Sequence, residues 1–464
     1  MAASPAGSPY PSIVRKALPA QHVPDQTILE LAHEMIVPPD QDDNTFDEAR
    51  DNPEFAAGYT YFGQFIAHDL TLFEQRPLLK NRRTAAFDLD SVYGGGPTSA
   101  PWLYTRGPDR FEFLLGTARD RFPDRTSSEP DLPRNAHGIA IIPDVRNDEN
   151  VLTSQIHVGF MRAHNRIQRD LARTTELVGL ELFQTAAREL CWTYQYLVLN
   201  DFLPRILDEL HREALEKELS KLTAKPSKSK RSSPPQSIAK EFVLAAFRFG
   251  HSIVRPGYRL NGDLHFRPLL PVDFRRSARD GHLAGGDFLP TRWAVDWSMF
   301  LTRDEPRKEI PDPGGRVQVA RLIDRRLSGA MGQIPPIPPM APFAREMRHD
   351  ERLLRNLPLR TLKRGRDHKL PSGETLAAEL GVPSHTPSRK GLPLWPYLLD
   401  EAFEQSGGRT LGCLGSCIVL DTCLKILSKD ASSFLRANPE FIPTVGGRDR
   451  KELRLIDLLQ PGFE

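Results

Sequence analysis

The chemistry of this sequence starts from two polar side chains set in an apolar run. In YFGQFIAHDL, Gln64 and His68 stand four positions apart among Phe62, Phe65, Ile66 and Leu70. On a helix that spacing puts a carboxamide and an imidazole on one face. Burying both requires hydrogen-bond partners, and a cofactor pocket is one kind of partner; taken alone, a satisfied core histidine is the commoner outcome. Asp69 points about 100° away from His68 and must serve something else. Downstream, TAAFDLDSVYGGG at 84–96 offers the oxygens of Thr84, Asp88 and Asp90 at alternating positions. With Asp69 they make three carboxylates, a donor type suited to Ca²⁺, although the spacing is not that of an EF-hand and Asp and Gly are ordinary turn formers. PDVRNDEN, 143–150, sets Arg146 and Glu149 ahead of a helical run holding His157 and His164. A permanent cation can stabilise a developing anion without exchanging a proton. Asp148 and Glu149 equally suit a helix N-terminus, and the two histidines, with no third ligand, point to packing rather than a metal. AFRFGHSIVRP, 246–256, places His251 after Gly250, which admits a flat ligand, with Arg248 one turn earlier and Arg255 and Pro256 following. An imidazole beside a guanidinium suits a cofactor that carries both a metal and carboxylates.

Helices have to position these groups. Apolar residues recur at three- and four-residue spacing over 57–72, 151–174, 179–201 and 239–254, and further helices are predicted at 344–356, 374–381, 394–405, 411–428 and 430–436. Alternating strand patterns are scarce, and 41 prolines argue for helices joined by irregular loops rather than a sheet-rich core. Residues 1–25, rich in Ala, Pro and Ser, read as a mobile arm, and the Lys/Ser/Pro-rich stretch 218–237 as a solvated loop. The expectation is a mainly α protein with one large domain over 26–464. The 62 Lys and Arg nearly balance 60 Asp and Glu, so a polyanionic partner such as nucleic acid is not implied. Cys191, Cys413, Cys417 and Cys423 contain no CxxC pair, and three of them crowd one apolar segment, which favours buried thiols and a reducing, cytoplasmic setting. No run approaches the roughly 20 apolar residues of a membrane span, and the start lacks an apolar signal core.

In order and spacing, these segments resemble the animal-type haem peroxidases of the peroxidase–cyclooxygenase superfamily, and RNDEN with AFRFGHSIVRPGYRLNG resembles their bacterial members. The similarity runs from about Asp51 to Leu459. The resemblance implies His68 as the distal base, Gln64 as the residue holding water or halide over the haem, and Arg146 as the distal arginine. It implies His251 as the proximal iron ligand, Arg248 as a candidate partner of a haem propionate, and Glu149 as the one glutamate able to form an ester with the haem. Asp69, Thr84, the carbonyl of Ala86, Asp88 and Asp90 become the calcium ligands. The chain departs from the family at Ala67, where a second ester-forming aspartate stands, and at Asn150, where one branch has a sulfonium-forming methionine, so haem b with at most one covalent link is implied. In KRGRDHKLPSGE, 363–374, Glu374 falls where an asparagine orients the proximal histidine, and Ala377 replaces a propionate-binding arginine. The implied activity is reduction of hydrogen peroxide, with oxidation of a halide or a small phenol-like donor through a high-valent haem iron. A fatty-acid dioxygenase of the same superfamily is the alternative, weakened because Arg248 stands where cyclooxygenases carry their radical tyrosine; a catalytically silent haem-binding protein is another. The resemblance leaves the oligomeric state open.

Overall fold

The computed structural model describes residues 12–74, 80–81, 83–107, 109–120, 126–224, 238–270, 281–334, 355–385, 390–445, 448–449 and 451–460. Helix dominates, and the strands among the described residues form five two-stranded pairs. The longer helices are α1 (Asp25–Glu34), α2 (Gly58–Leu70), α3 (Val151–Thr174), α4 (Gly179–Leu197), α5 (Glu209–Ala224), α6 (Leu357–Asp367), α7 (Gly373–Leu380), α8 (Leu394–Ser406) and α9 (Cys413–Lys429). The fold is mainly α, as composition and pattern predict. No helix among the described residues is long and apolar enough to cross a membrane.

α2 lies at the centre. It starts where the chain leaves strand Asp51–Ala56, which pairs antiparallel with Val319–Arg321, and Gly58 donates its N–H to the Phe300 carbonyl at 2.8 Å. A Cβ at Gly58 would stand 2.7 Å from that oxygen, so only glycine lets the backbones meet. From there α2 packs on α3 through aromatic rings: Phe65 stacks on Phe160 with centroids 4.8 Å apart, and Tyr194 of α4 meets Phe62, Phe65 and Phe160 edge-on. Ring quadrupoles favour both arrangements over a face-to-face sandwich. α3 begins at Asn150, whose side chain accepts the Thr153 N–H at 2.9 Å.

Several boundaries differ from the sequence expectation. The predicted helix 179–201 runs on past α4 through a π turn, Val198–Phe202, into Leu203–Ile206. The wide turn seats buried Asp201, which accepts hydrogen bonds from the Tyr59 hydroxyl, the Arg205 guanidinium and the Leu455 N–H. The run 239–254 is not one helix. An α segment, Lys240–Leu244, breaks at Ala245, and Ala246–His251 is 3₁₀. Most of the predicted helix 344–356 lies outside the described residues, and 430–436 shrinks to one turn, Phe434–Ala437. α1 was not anticipated. The described part of the presumed N-terminal arm packs on the body: Val23 is buried, and the Ser12 hydroxyl donates to Glu241 at 2.8 Å. Of the presumed loop 218–237, the first seven residues finish α5, and 225–237 lie outside the described residues.

Candidate active site

Along α2 every residue is buried except Gly63, Gln64 and Ala67, the last lying four and three positions after the first two and on the same face. His68, one turn beyond Gln64, is buried at the edge of that strip. Its Nδ1 lies 2.9 Å from the side-chain oxygen Oδ1 of Asn147, while Asn147 Nδ2 lies 3.0 Å from His157 Nδ1. An amide oxygen only accepts, so His68 carries its proton on Nδ1 and presents Nε2 as a lone pair. Burial, reinforced by the Arg146 charge, pulls the His68 pKa down to about 3, so the ring is neutral at physiological pH. Arg146 is clamped by Asp144, through Nε at 2.9 Å and Nη2 at 2.6 Å, and donates to the His68 carbonyl at 2.9 Å. Asp144 also holds Arg83 at 2.7 Å. Its carboxyl is kept far below the usual carboxylate range by these guanidiniums, which outweigh the burial that would raise it.

Gln64 is fixed rather than free. Its amide donates to Glu149 at 2.8 Å, and its carbonyl accepts from Asn150 at 3.1 Å and Thr153 at 2.9 Å. Burial raises the Glu149 pKa, opposed by the charges of Arg360 and Arg146. Asp148 does not serve as a cap: it takes a two-pronged ion pair from Arg134 at 2.7 and 2.8 Å. His157 and His164 are core residues with hydrogen-bond partners, His164 touching Tyr93 and Gln168 at 3.0 and 2.8 Å.

The 3₁₀ turn Ala246–His251 packs against α2. With three residues per turn it stacks Arg248 directly over His251, which a regular α-helix would not do. A Cβ at Gly250 would meet nothing within 4 Å, so there is open space beside His251. His251 Nδ1 is buried with no hydrogen-bond partner, and the ring meets Trp395 edge-on at 5.9 Å. Burial, then the charges of Arg248, Arg360 and Arg364, hold its pKa well below the ordinary value. This corrects one expectation. Glu374 does not reach His251 Nδ1; it lies near the start of α7, where its charge acts on Tyr397. Arg255, too, turns away from His251 and ties Asp51 and Asn44.

Sequence reasoning missed Asn147, although it stands inside RNDEN, and missed Arg360 of α6 altogether. Arg360 acts on both Glu149 and His251, and its Nε is buried without a partner. The available signal was the four-residue spacing of Arg360 and Arg364, which puts two guanidiniums on one helix face.

Asp69 is fully buried and accepts from Leu89 N–H at 3.2 Å and from the Ser91 N–H and hydroxyl at 3.3 and 3.1 Å, so the 84–91 loop wraps it. Burial, then the Asp88 charge, pushes Asp69 up to about 8. Thr84 donates to Asp88, and the Asp90 N–H donates to Asp88 at 3.1 Å, but the Asp90 carboxylate pairs with Arg83 at 2.6 Å. Ala86 is buried in the same loop. The oxygen donors are brought to one region without being drawn to a common point.

Residues 78–275 match the model of the animal haem peroxidase family. Human thyroid peroxidase is 28% identical over 206 residues, covering 41% of this chain and 21% of that protein. Mouse eosinophil peroxidase is 28% identical over 230 residues, covering 46% and 29%. The matched stretch thus spans under a third of these relatives' length. Among solved structures, peroxidase A from Dictyostelium discoideum has a TM-score of 0.59 at 15% identity, covering 98% of this chain and 94% of that one. The fatty acid α-dioxygenase of Oryza sativa has the same TM-score at 14% identity, covering 93% and 77%; at such identities the likeness is one of fold. The matched stretch contains Arg146, Glu149 and His251 but begins after His68, so the similarity to animal haem peroxidases is one of this part of the chain.

Proposed function

We propose that this chain is a haem peroxidase that reduces hydrogen peroxide and oxidises a halide or a small phenol-like donor, with His251 as the iron ligand. The observation that supports it most is the pairing of two differently prepared imidazoles. His68 is neutral, fixed in one tautomer and next to a clamped arginine. His251 follows Gly250, where a Cβ would meet open space, and the charges of Arg248, Arg360 and Arg364 act on it. The donor set suits haem: a neutral imidazole can ligate iron, and a buried, unpartnered Arg360 Nε calls for an anion such as a propionate. In this reading Arg360 joins Arg248, whose Nε is already committed to the Val243 carbonyl at 2.9 Å.

Bound haem would supply the iron to which peroxide binds and the oxidising equivalents passed to the donor. His68 Nε2 takes the proton of the incoming peroxide and returns it to the departing oxygen, a task for a neutral, oriented base. The Arg146 bonds above use Nε and Nη2, leaving Nη1 to stabilise negative charge as the oxygen–oxygen bond lengthens. Gln64, held by Glu149, Asn150 and Thr153, fixes the floor on which water or halide would sit. Glu149 is the one candidate for an ester link. Ca²⁺ at Asp69, Thr84, the Ala86 carbonyl, Asp88 and Asp90 is part of the same reading: it would offset the charge of buried Asp69 and half-buried Asp88, and Asp90 would have to exchange Arg83 for the ion. Assignment to the bacterial branch, a single domain over 26–464 and cytoplasmic placement also belong to this proposal.

The dioxygenase alternative draws only on fold likeness, and Arg248 has no phenol to form a radical. Reconstitution with haem tests the proposal. One haem per chain with a Soret band that His251→Ala abolishes, and turnover of guaiacol or bromide, are expected; a chain that takes up no haem overturns it.

A further inference from the structure

Away from the candidate haem site, two helix starts meet. Asp208 precedes α5, and its Oδ1 accepts the His211 N–H and lies 2.8 Å from His211 Nδ1. Cys413 and Cys417 stand one turn apart at the start of α9, which packs against α5. The Asp208 N–H donates to Ser416 Oγ at 3.0 Å and stitches the two together. The first N–H groups of α9 need no help from the thiols: Gln405 accepts from Cys413 at 2.8 Å, and Glu401 from Leu414 and Gly415 at 2.9 and 3.1 Å. The ligand atoms of Asp208, His211 and Cys413 lie within 4.8 Å of one another, and the Cys417 thiol acts electrostatically on the same imidazole. Among the described residues, this is the only group of three such side chains drawn so close.

We propose that Asp208, His211, Cys413 and Cys417 form a structural Zn²⁺ site that clamps the starts of α5 and α9. One carboxylate, one imidazole and two thiols make a closed four-ligand set of the N, O and S donors that Zn²⁺ takes tetrahedrally. With Zn–S near 2.3 Å and Zn–N near 2.0 Å, ligand atoms stand roughly 3.4–3.8 Å apart, so Asp208, His211 and Cys413 close on an ion by side-chain movements of about 1 Å, and Cys417, one turn further along α9, swings in as the fourth ligand. Helix capping and an Asp–His ion pair account for Asp208 and His211, but they leave the Cys413 thiol beside them, and Cys417 one turn away, without a role. The site is independent of haem chemistry.

The test uses the haem-loaded full-length chain, Zn²⁺ and a competing chromophoric chelator. One zinc per chain with a Kd below about 1 µM is expected, weakened at least about 100-fold in the Cys413→Ser/Cys417→Ser double variant, with haem content and peroxide turnover unchanged. In the unaltered protein, Zn²⁺ should shield Cys413 and Cys417 from alkylation while leaving Cys191 as reactive as before, a readout that needs no variant. Failure to bind zinc, binding indifferent to the double substitution, or an alkylation pattern unchanged by zinc overturns the assignment.

Discussion

At the scale of single residues, the site is built by what surrounds each imidazole. The Asn147 side-chain oxygen decides which His68 nitrogen holds the proton, and burial with Arg146 keeps the ring neutral. His68→Ala should therefore slow the reaction with peroxide by roughly 10²-fold or more, the contribution expected of a positioned acid–base group. Stopped-flow measurement of the Soret change on mixing with peroxide decides it, and an unchanged rate removes His68 from the role. His157 and His164 give a prediction about stability. Burial lowers both to about 3, well under the ordinary value near 6.5. Between those limits the unfolded chain binds two protons that the folded chain refuses, so stability is full above about pH 6.5 and is lost as pH falls toward 3. The slope from these two groups is about 2.7 kcal/mol per pH unit. Urea unfolding at several pH values should show this, and His164→Gln should lower the slope by one proton's worth. RNDEN marked Arg146 and Glu149 in the sequence; the part played by its Asn147 depends on which face of α2 it meets, and no local pattern contains that.

At the scale of elements, irregular turns do the positioning. The π turn seats Asp201 among Tyr59, Arg205 and the Leu455 N–H, all withdrawn from water. Asp201→Ala leaves the Arg205 cation buried without its carboxylate and should cost about 3–5 kcal/mol, read by denaturant unfolding. The 3₁₀ turn does for His251 what the π turn does for Asp201. Apolar periodicity predicts helix across 239–254, yet it cannot distinguish 3.0 from 3.6 residues per turn over six residues, and the difference decides where Arg248 points. Since α7 keeps Glu374 away from His251, Glu374→Gln should leave the ferric/ferrous potential of the haem-loaded protein unchanged. A shift would restore Glu374 as its hydrogen-bond partner. The local alignment places Glu374 by counting residues after Pro371, whereas the helix places it by packing Gly373 against the Tyr397 ring, where a Cβ would come within 2.2 Å.

At the scale of the whole molecule, Glu149 is held by Gln64, and Ala67 has no side-chain oxygen, so on the proposed reading at most one ester link to haem is expected. Denaturing acid–solvent extraction should release most of the haem, and pigment that stays with the unfolded chain would refute this. The sequence by itself determined the helical class, since periodicity and proline content are local properties that hold whatever the packing. It determined the candidates too, because Gln64/His68, RNDEN and FRFGH each fit within one turn or two. Tertiary structure alone decided what those residues meet. Arg360 is about 200 residues from Glu149 along the chain and about 100 from His251, yet its charge acts on both. Asp208 and Cys413 lie as far apart before the helix starts bring them together. Contacts of that range arise only when α2, α3, α6 and α9 bury their apolar faces in one common core, and the free energy that selects the arrangement is spread over that whole core rather than written in any one segment.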